Sequence, residues 1–425
     1  MNNGKRIVCL LAGTFMLLFL GLIYAWSIFR DPLAARYQAW TATQISGTFT
    51  ISIVSFCVGG FVAGKLAATI RHRTIIRISA AVILVGFLSI ALLLKPSAPD
   101  RSLWALYIFY GVFGGGGVGL AYNTLLGAVT RWFPGRTGMA SGVLLLGFGV
   151  GGLALGSFVN ALMQRIGVER VFLVLGILLA AALCLGSFFV GIPASSRTSD
   201  HASGSGAASL AAKAGVPAGS GAAPEGLPCY TLGEAVAKPT FWILCLWNIF
   251  MCVGGLLVIN SAAPIAVRYG MFAVIGLIVP LFNGVGRPLI GMLLDVAGRK
   301  KAMAANTLLM LLGGVSLLLG ALTENALFIY VGFPLIGVAY GGTPTLFSAV
   351  INNFYGAKHY QVILGTAILS LAVAGAAGPL LSGALQELSG GAYLTSFVMI
   401  IVAALVALIL NLFLTVSGKR DGLEK

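Results

Sequence analysis

The stretch FNGVGRPLIGMLLDVAGRKK, residues 282–301, ends a long apolar run in a compact cluster of charge and carries one further arginine, Arg287, inside the run itself. Its last part, Gly291 to Lys301, has the form G-x-L-x-D-x-x-G-R-K-K. Apolar sequence resumes directly after it. Working outward, runs of about 20 apolar residues, enough to cross roughly 30 Å of hydrocarbon at about 1.5 Å per residue, recur over the whole chain. Twelve are predicted, near residues 7–29, 44–66, 74–94, 102–129, 138–160, 170–191, 240–264, 271–294, 302–322, 327–350, 360–385 and 391–416. With 59% hydrophobic and 9% charged residues among 425, and a mean hydropathy of +1.00, no soluble core accounts for the composition. The first run follows MNNGKR; at about 23 residues, with no small-residue cleavage site, it reads as a retained span rather than a signal peptide.

Charge placement orients these spans. If both termini share one side, the opposite side receives Arg30, Arg36, Lys95, Arg101, Arg165, Arg170 and Arg268, seven of the 26 basic residues, while eighteen fall on the terminus side. That bias predicts cytoplasmic termini and suits a bacterial inner membrane. It also accounts for the net charge of +15. Because the cations are scattered over short loops and not gathered into a stripe, a nucleic-acid partner is not indicated. The one basic residue left unplaced is Arg287.

An internal repeat runs through the chain. GKLAATIRHR (Gly64 to Arg73) keeps Gly64, Leu66 and Arg73 of the Gly291 motif at an offset of 227, with Ala68 where the acid would stand. TLLGAVTRWFPG (Thr124 to Gly135) matches TLFSAVINNFYG (Thr345 to Gly356) at an offset of 221. The prediction is an all-α membrane protein of twelve helices in two six-helix halves. Residues 1–191 form the first half and 240–425 the second, and 192–239, rich in Ala, Gly and Ser, has the composition of a flexible cytoplasmic linker.

These motifs and the six-plus-six plan resemble the major facilitator superfamily over essentially the whole chain. GLIYAWSIF (Gly21 to Phe29), GLAYNTLLGAVTRWFPGRTGMASG (Gly119 to Gly142) and FNGVGR (Phe282 to Arg287) resemble, more narrowly, the oxalate/formate antiporter family and the related monocarboxylate transporters. The resemblance implies alternating access to a central site lined by Tyr24, Tyr122 and Tyr340, each of which reads equally as a packed or interfacial aromatic. It also implies a gate at Asp295 and Arg299, where residues alone give a weak surface i,i+4 pair.

Arg287 lies eight residues before Asp295, so its Cα sits roughly 12 Å inside the membrane by helical rise. A cation near the bilayer centre costs about 2.5–3.5 kcal/mol on insertion scales, so it faces a wet cavity or has a partner. None of the eleven acids falls inside a span. The missing counter-ion is then a substrate anion, or else Arg287 is a structural arginine bonded to carbonyls or water, or its span is misplaced. A guanidinium with amide or phenol donors suits a carboxylate, and Asn283, four residues earlier, shares its helix face.

Two departures from the resembling families bear on substrate. Where the oxalate transporters carry a lysine in the eleventh span, alignment on Thr366 and Ala367 puts Ile368, so one buried cation matches one carboxylate. Where animal monocarboxylate transporters have an aspartate before the arginine, this chain has Asn283, which leaves the proton carrier open. The expected function is a secondary transporter of small monocarboxylates of the lactate, pyruvate or formate type, with proton symport ahead of oxalate/formate-type anion exchange. A membrane anion sensor is the non-transport alternative, and the linker offers it no output domain. The partners implied are the carboxylate, a proton and the bilayer, the unit a monomer. Neither metal nor cofactor is indicated: GFGVGG (Gly147 to Gly152) fits a dinucleotide pattern but sits inside a span, and no C-x-x-C pair occurs. No cluster of nucleophile, base and acid lies within the spans, so the chain does not read as an enzyme. Gly111, Gly115 and Gly119, four apart, predict a closely packed helix face.

Overall fold

The computed structural model describes residues 3–191, 230–377, 393–421 and 423, and these fold almost wholly into helices. In the first half α1 (Asn3–Leu20) passes through a short 3₁₀ segment (Gly21–Ala25) into α2 (Trp26–Arg36), followed by α3 (Ala42–Leu66), α4 (His72–Leu93), α5 (Pro99–Ala105), α6 (Gly115–Thr130), α7 (Thr137–Ile166) and α8 (Val168–Ser187). A π-helical stretch, Leu106–Gly114, joins α5 to α6. The second half holds α9 (Leu232–Val236), α10 (Pro239–Arg268), α11 (Ile278–Thr323), α12 (Ala326–Tyr355), α13 (Tyr360–Ala367) and α14 (Leu394–Arg420). Most of the stretch expected as linker lies outside the described residues. Its last residues carry α9, whose start is closed by a reciprocal cap between Thr231 and Glu234.

Eleven helical stretches are long and apolar enough to cross a membrane, and one of them, Ile275–Thr323, is too long for a single crossing. A straight α11 of 46 residues would run to about 69 Å. It folds back instead. Gly298 breaks it with φ 80° and ψ 168°, a conformation that only glycine adopts without strain. The return is visible in the packing, since Ile290 and Asn306, eight residues either side of Gly298, both lie against Gly342 of α12. The twelve crossings are therefore present, with the turn in the Gly291 motif. Gly135 and Gly356, which end the second pair of repeat segments, have φ of 79° and 82°, so the repeat holds at the level of the backbone.

Within the first half α3 and α6 touch backbone to backbone, as the four-residue glycine spacing predicts. Gly115 faces the backbone of Ser52 and Gly119 that of Phe56, while Gly111, in the π-helical stretch before α6, faces the Ile51 side chain. Outward side chains remain apolar; Leu92, Trp104, Leu185, Leu412 and Phe413 are all more than half exposed. An apolar exterior on long helices is what hydrocarbon, not water, selects.

The halves meet along two seams at the end that carries both termini. At one, Gly138 of α7 abuts Gly291 of α11. At the other, Gly64 of α3 abuts Gln361 and Val362 of α13. Gly64 and Gly291 are the paired glycines of the repeat, so each half offers the same bare position to its neighbour.

Candidate transport site

Between the halves lies a cavity of about 40 Å³, room for roughly three water-sized positions at ~10–15 Å³ each. The first half contributes Phe56 of α3, Tyr122 of α6 and Phe148 of α7. From the second half come Asn248 and Cys252 of α10, Arg287 of α11, Tyr340, Pro344, Phe347 and Ser348 of α12, and Leu364, Ile368 and Leu371 from α13 and its continuation. The wall is mostly apolar and aromatic with a few polar groups, the usual make-up of a small-molecule site.

Arg287 is the one charged residue among the described residues of this wall. The side chain is 2% exposed, and its Nε and one terminal nitrogen donate to Asn283 Oδ1 at 3.3 and 3.0 Å. The i,i+4 spacing on α11 makes this contact automatic. The guanidinium carbon lies 5.8 Å from the centroid of the Phe148 ring, on the opposite half. No carboxylate among the described residues pairs with it; the described ion pairs are Arg36 with Glu169 at 3.4 Å and Arg420 with Asp421 at 3.8 Å. Asn283, itself 4% exposed, spends its oxygen on Arg287 and keeps a buried amide nitrogen with no hydrogen-bond acceptor. Two adjacent buried donors, one of them cationic, form an environment that favours an anion.

Of the tyrosines, Tyr122 and Tyr340 both reach the cavity and are 6% and 4% exposed. Tyr122 packs edge-on to Phe56 and Phe148, with centroids 5.0 and 5.1 Å away. Tyr24 has its backbone in the 3₁₀ segment between α1 and α2, and its side chain lies outside the described residues. Asn283 stands beside Arg287 and behind the wall. Ile368 is on the wall itself, facing Gly60 of α3.

Asp295 and Arg299 do not pair with each other. Gly298 breaks the helix between them, so the i,i+4 rule that puts side chains on one face does not apply. Asp295 reaches across the seam instead and accepts the N–H groups of Gly138 and Met139 at 3.0 and 2.7 Å. Those amides open α7, whose own N-cap residue, Arg136, supplies no side-chain cap. The carboxylate thus satisfies orphan donors at the positive end of the helix dipole. Arg299 turns the other way, donating to Thr415 Oγ1 at 3.2 Å and lying over the Phe354 ring.

The sequence reading missed several wall residues. Asn248, which donates to Ser370 Oγ at 2.9 Å and accepts from Cys252 Sγ at 3.6 Å, had a signal in being an amide within an apolar span. Phe56 and Phe148 had none, since an aromatic in a span is ordinarily core or lipid-facing.

Two bundles of six crossings around a central, charge-bearing cavity define the class: an integral membrane protein that transports a small solute. The chain belongs to the Major Facilitator Superfamily, whose profile matches residues 8–379. It is similar to the uncharacterized MFS-type transporter YhjX of Escherichia coli, with 26% identity and 85% of each chain covered. It is similar also to the oxalate:formate antiporter of Oxalobacter formigenes, with 26% identity over 82% of this chain and 78% of that one. Monocarboxylate transporter 9 of Gallus gallus matches at 27% identity over 35% of this chain and 27% of its own length. Among solved structures, the proton:xylose symporter XylE superimposes with a TM-score of 0.72 at 16% identity, covering 97% of this chain and 96% of that chain. FucP in its outward conformation gives 0.67 at 14%, covering 96% and 99%. At those identities the likeness concerns the fold alone.

Proposed function

We propose that this chain carries small monocarboxylates of the lactate, pyruvate or formate type across a bacterial inner membrane by alternating access, in symport with a proton, as a monomer with cytoplasmic termini. Residues 1–191 and 240–425 would be the rocking halves and 192–239 the linker. One observation carries the substrate class: a buried guanidinium on the cavity wall, beside an unmatched amide donor, with no described carboxylate as its partner. A dicarboxylate would bury its second charge against Ile368 and its apolar neighbours, which costs several kcal/mol. The cavity's size also favours few heavy atoms. Tyr122 and Tyr340 would orient the anion, and Asp295, bonded across the seam, would serve as the gate, with Arg299 anchoring the turn behind it.

The test is uptake of radiolabelled lactate into proteoliposomes. Arg287→Gln should reduce it to background while the protein remains inserted and monodisperse, and Arg287→Lys should recover little, since it keeps the charge but loses the planar fork. A carboxylate at a hundred times its Kd should stabilise wild type by about 2.7 kcal/mol and Arg287→Gln not at all. Normal uptake by Arg287→Gln would overturn the assignment. The similarity to the oxalate:formate antiporter of Oxalobacter formigenes supports a second reading, anion exchange, and the two differ in whether an unloaded carrier can return.

A further inference from the structure

We infer that Phe148 and Gly149 of α7 form a slot that receives the Arg287 guanidinium when no carboxylate is bound, so that the unloaded carrier can close and reorient, and transport is net rather than obligatory exchange. The inference rests on Arg287 being the anion site.

The slot is built from GFGVGG, a motif with no other assigned role. Gly147 and Gly151 face Thr14 and Leu18 of α1 and pack α7 within its own half. Gly149, between them, faces the other half: a Cβ there would stand 2.8 Å from Arg287 Nε and 3.3 Å from its guanidinium carbon. The arginine therefore lies along the bare α7 backbone, in space that any other residue would occupy. Phe148 supplies the ring under the guanidinium, and Phe56 and Tyr122, at centroid distances of 6.1 and 5.1 Å, brace it. On the α11 side Asn283 Oδ1 accepts two of the guanidinium N–H groups.

In a carrier limited to exchange, a buried cation without its anion prevents closure, because neither water nor a counter-charge meets it. Here the protein supplies both an amide oxygen and a π-face. The π-face belongs to the opposite half, so the contact forms only as α7 and α11 come together at this level. An incoming carboxylate takes over the same guanidinium. Phe148 and Gly149 are thus positioning residues: they act on transport through Arg287, by setting how readily the unloaded form closes.

Proteoliposomes separate the two modes. Radiolabelled lactate is offered to vesicles that contain no substrate, which reports net uptake, and to vesicles preloaded with unlabelled lactate, which reports exchange. Wild type should do both. Gly149→Ala, whose methyl group would displace the guanidinium, should raise the ratio of exchange to net uptake roughly thirtyfold, the scale of one desolvated cation–π contact. Phe148→Leu, which keeps an apolar side chain and removes the π-face, should shift the ratio the same way, so the inference stays testable if one variant folds poorly. A general packing defect would slow both modes together. An unchanged ratio in well-folded Gly149→Ala or Phe148→Leu overturns the inference, as does a wild type that exchanges lactate but accumulates none in empty vesicles. Transport in neither mode would instead overturn the carboxylate reading beneath it.

Discussion

The two seams between the halves share one plan and are locked by different chemistry. In each, a repeat glycine, Gly291 or Gly64, lets its helix touch the opposite half at the start of a helix, α7 or α13. On the α7–α11 side the lock is a carboxylate: Asp295 accepts two amides that open α7. On the α3–α13 side the equivalent position is Ala68, and an imidazole and two amides take the place of the carboxylate. His72 Nε2 meets Gln361 Oε1 at 2.8 Å, and Asn123 Nδ2 donates to the carbonyls of Gln361 and Gly60 at 3.0 and 2.6 Å. The cavity cation, Arg287, belongs to the first seam; at the repeat offset of 227 its counterpart in the second is Gly60, which the apolar wall residue Ile368 faces. Duplication supplied a symmetric scaffold, and divergence placed the charge on one side of it. The charged seam is then the one that salt, substrate and substitution should move most.

The largest effect expected at the lock itself is from Asp295→Asn. Hydrogen bonds to a charged acceptor contribute about 1.5–3 kcal/mol, so weakening this one should open the terminus-bearing end of the seam by roughly ten- to a hundredfold. A cysteine introduced at Thr137, which is 8% exposed, should be alkylated faster by that factor in the Asp295→Asn background. Equal rates in the two backgrounds would make the seams alike in strength.

Gln361→Leu tests the seam that has no carboxylate lock. It removes the Oε1 that meets His72 Nε2 in a buried site, leaves the backbone carbonyl bonded by Asn123 in place, and should lower stability by about 1–3 kcal/mol, measured as a fall in melting temperature. Adding His72→Phe should recover part of the loss, because it removes the ring nitrogen that lost its Gln361 partner. A double variant that is merely the sum of its parts would show that the pair does not act as a unit.

Ile368→Lys would give the second seam a cation of its own. Competition against radiolabelled lactate should then shift from monocarboxylates toward oxalate, and the unloaded protein should melt lower. An unchanged inhibition ranking would mean that charge number is not what selects the substrate.

The smallest effect is expected from Ala68→Asp, which restores the missing acid of the repeat. The N-cap residue of α13, His359, supplies no side-chain cap, so an aspartate at 68 should contribute about 0.5–2 kcal/mol to the closed seam. It should raise the melting temperature and slow uptake; faster uptake would show that the second seam does not gate.

What the sequence determined by itself are the properties that sum along a helix. Twelve crossings follow from hydropathy and length, the turn at Gly298 from a charged cluster between apolar runs, the paired halves from two repeats, and the α3–α6 contact from glycines four apart. Arg287 was legible for the same reason, since the energy of one charge in hydrocarbon needs no knowledge of its neighbours. Only the tertiary structure decided what surrounds it. Phe148 lies 139 residues away from Arg287 in the chain, and its position under the guanidinium depends on the rotation of α7 about its axis and its depth against α11. Neither quantity is written in hydropathy, because lipid and protein interiors are almost equally apolar to a phenylalanine. Asp295 shows the same limit: read along the chain it pairs with Arg299, but the break at Gly298 separates them, and two unsatisfied amides of the other half are the stronger claim on its oxygens.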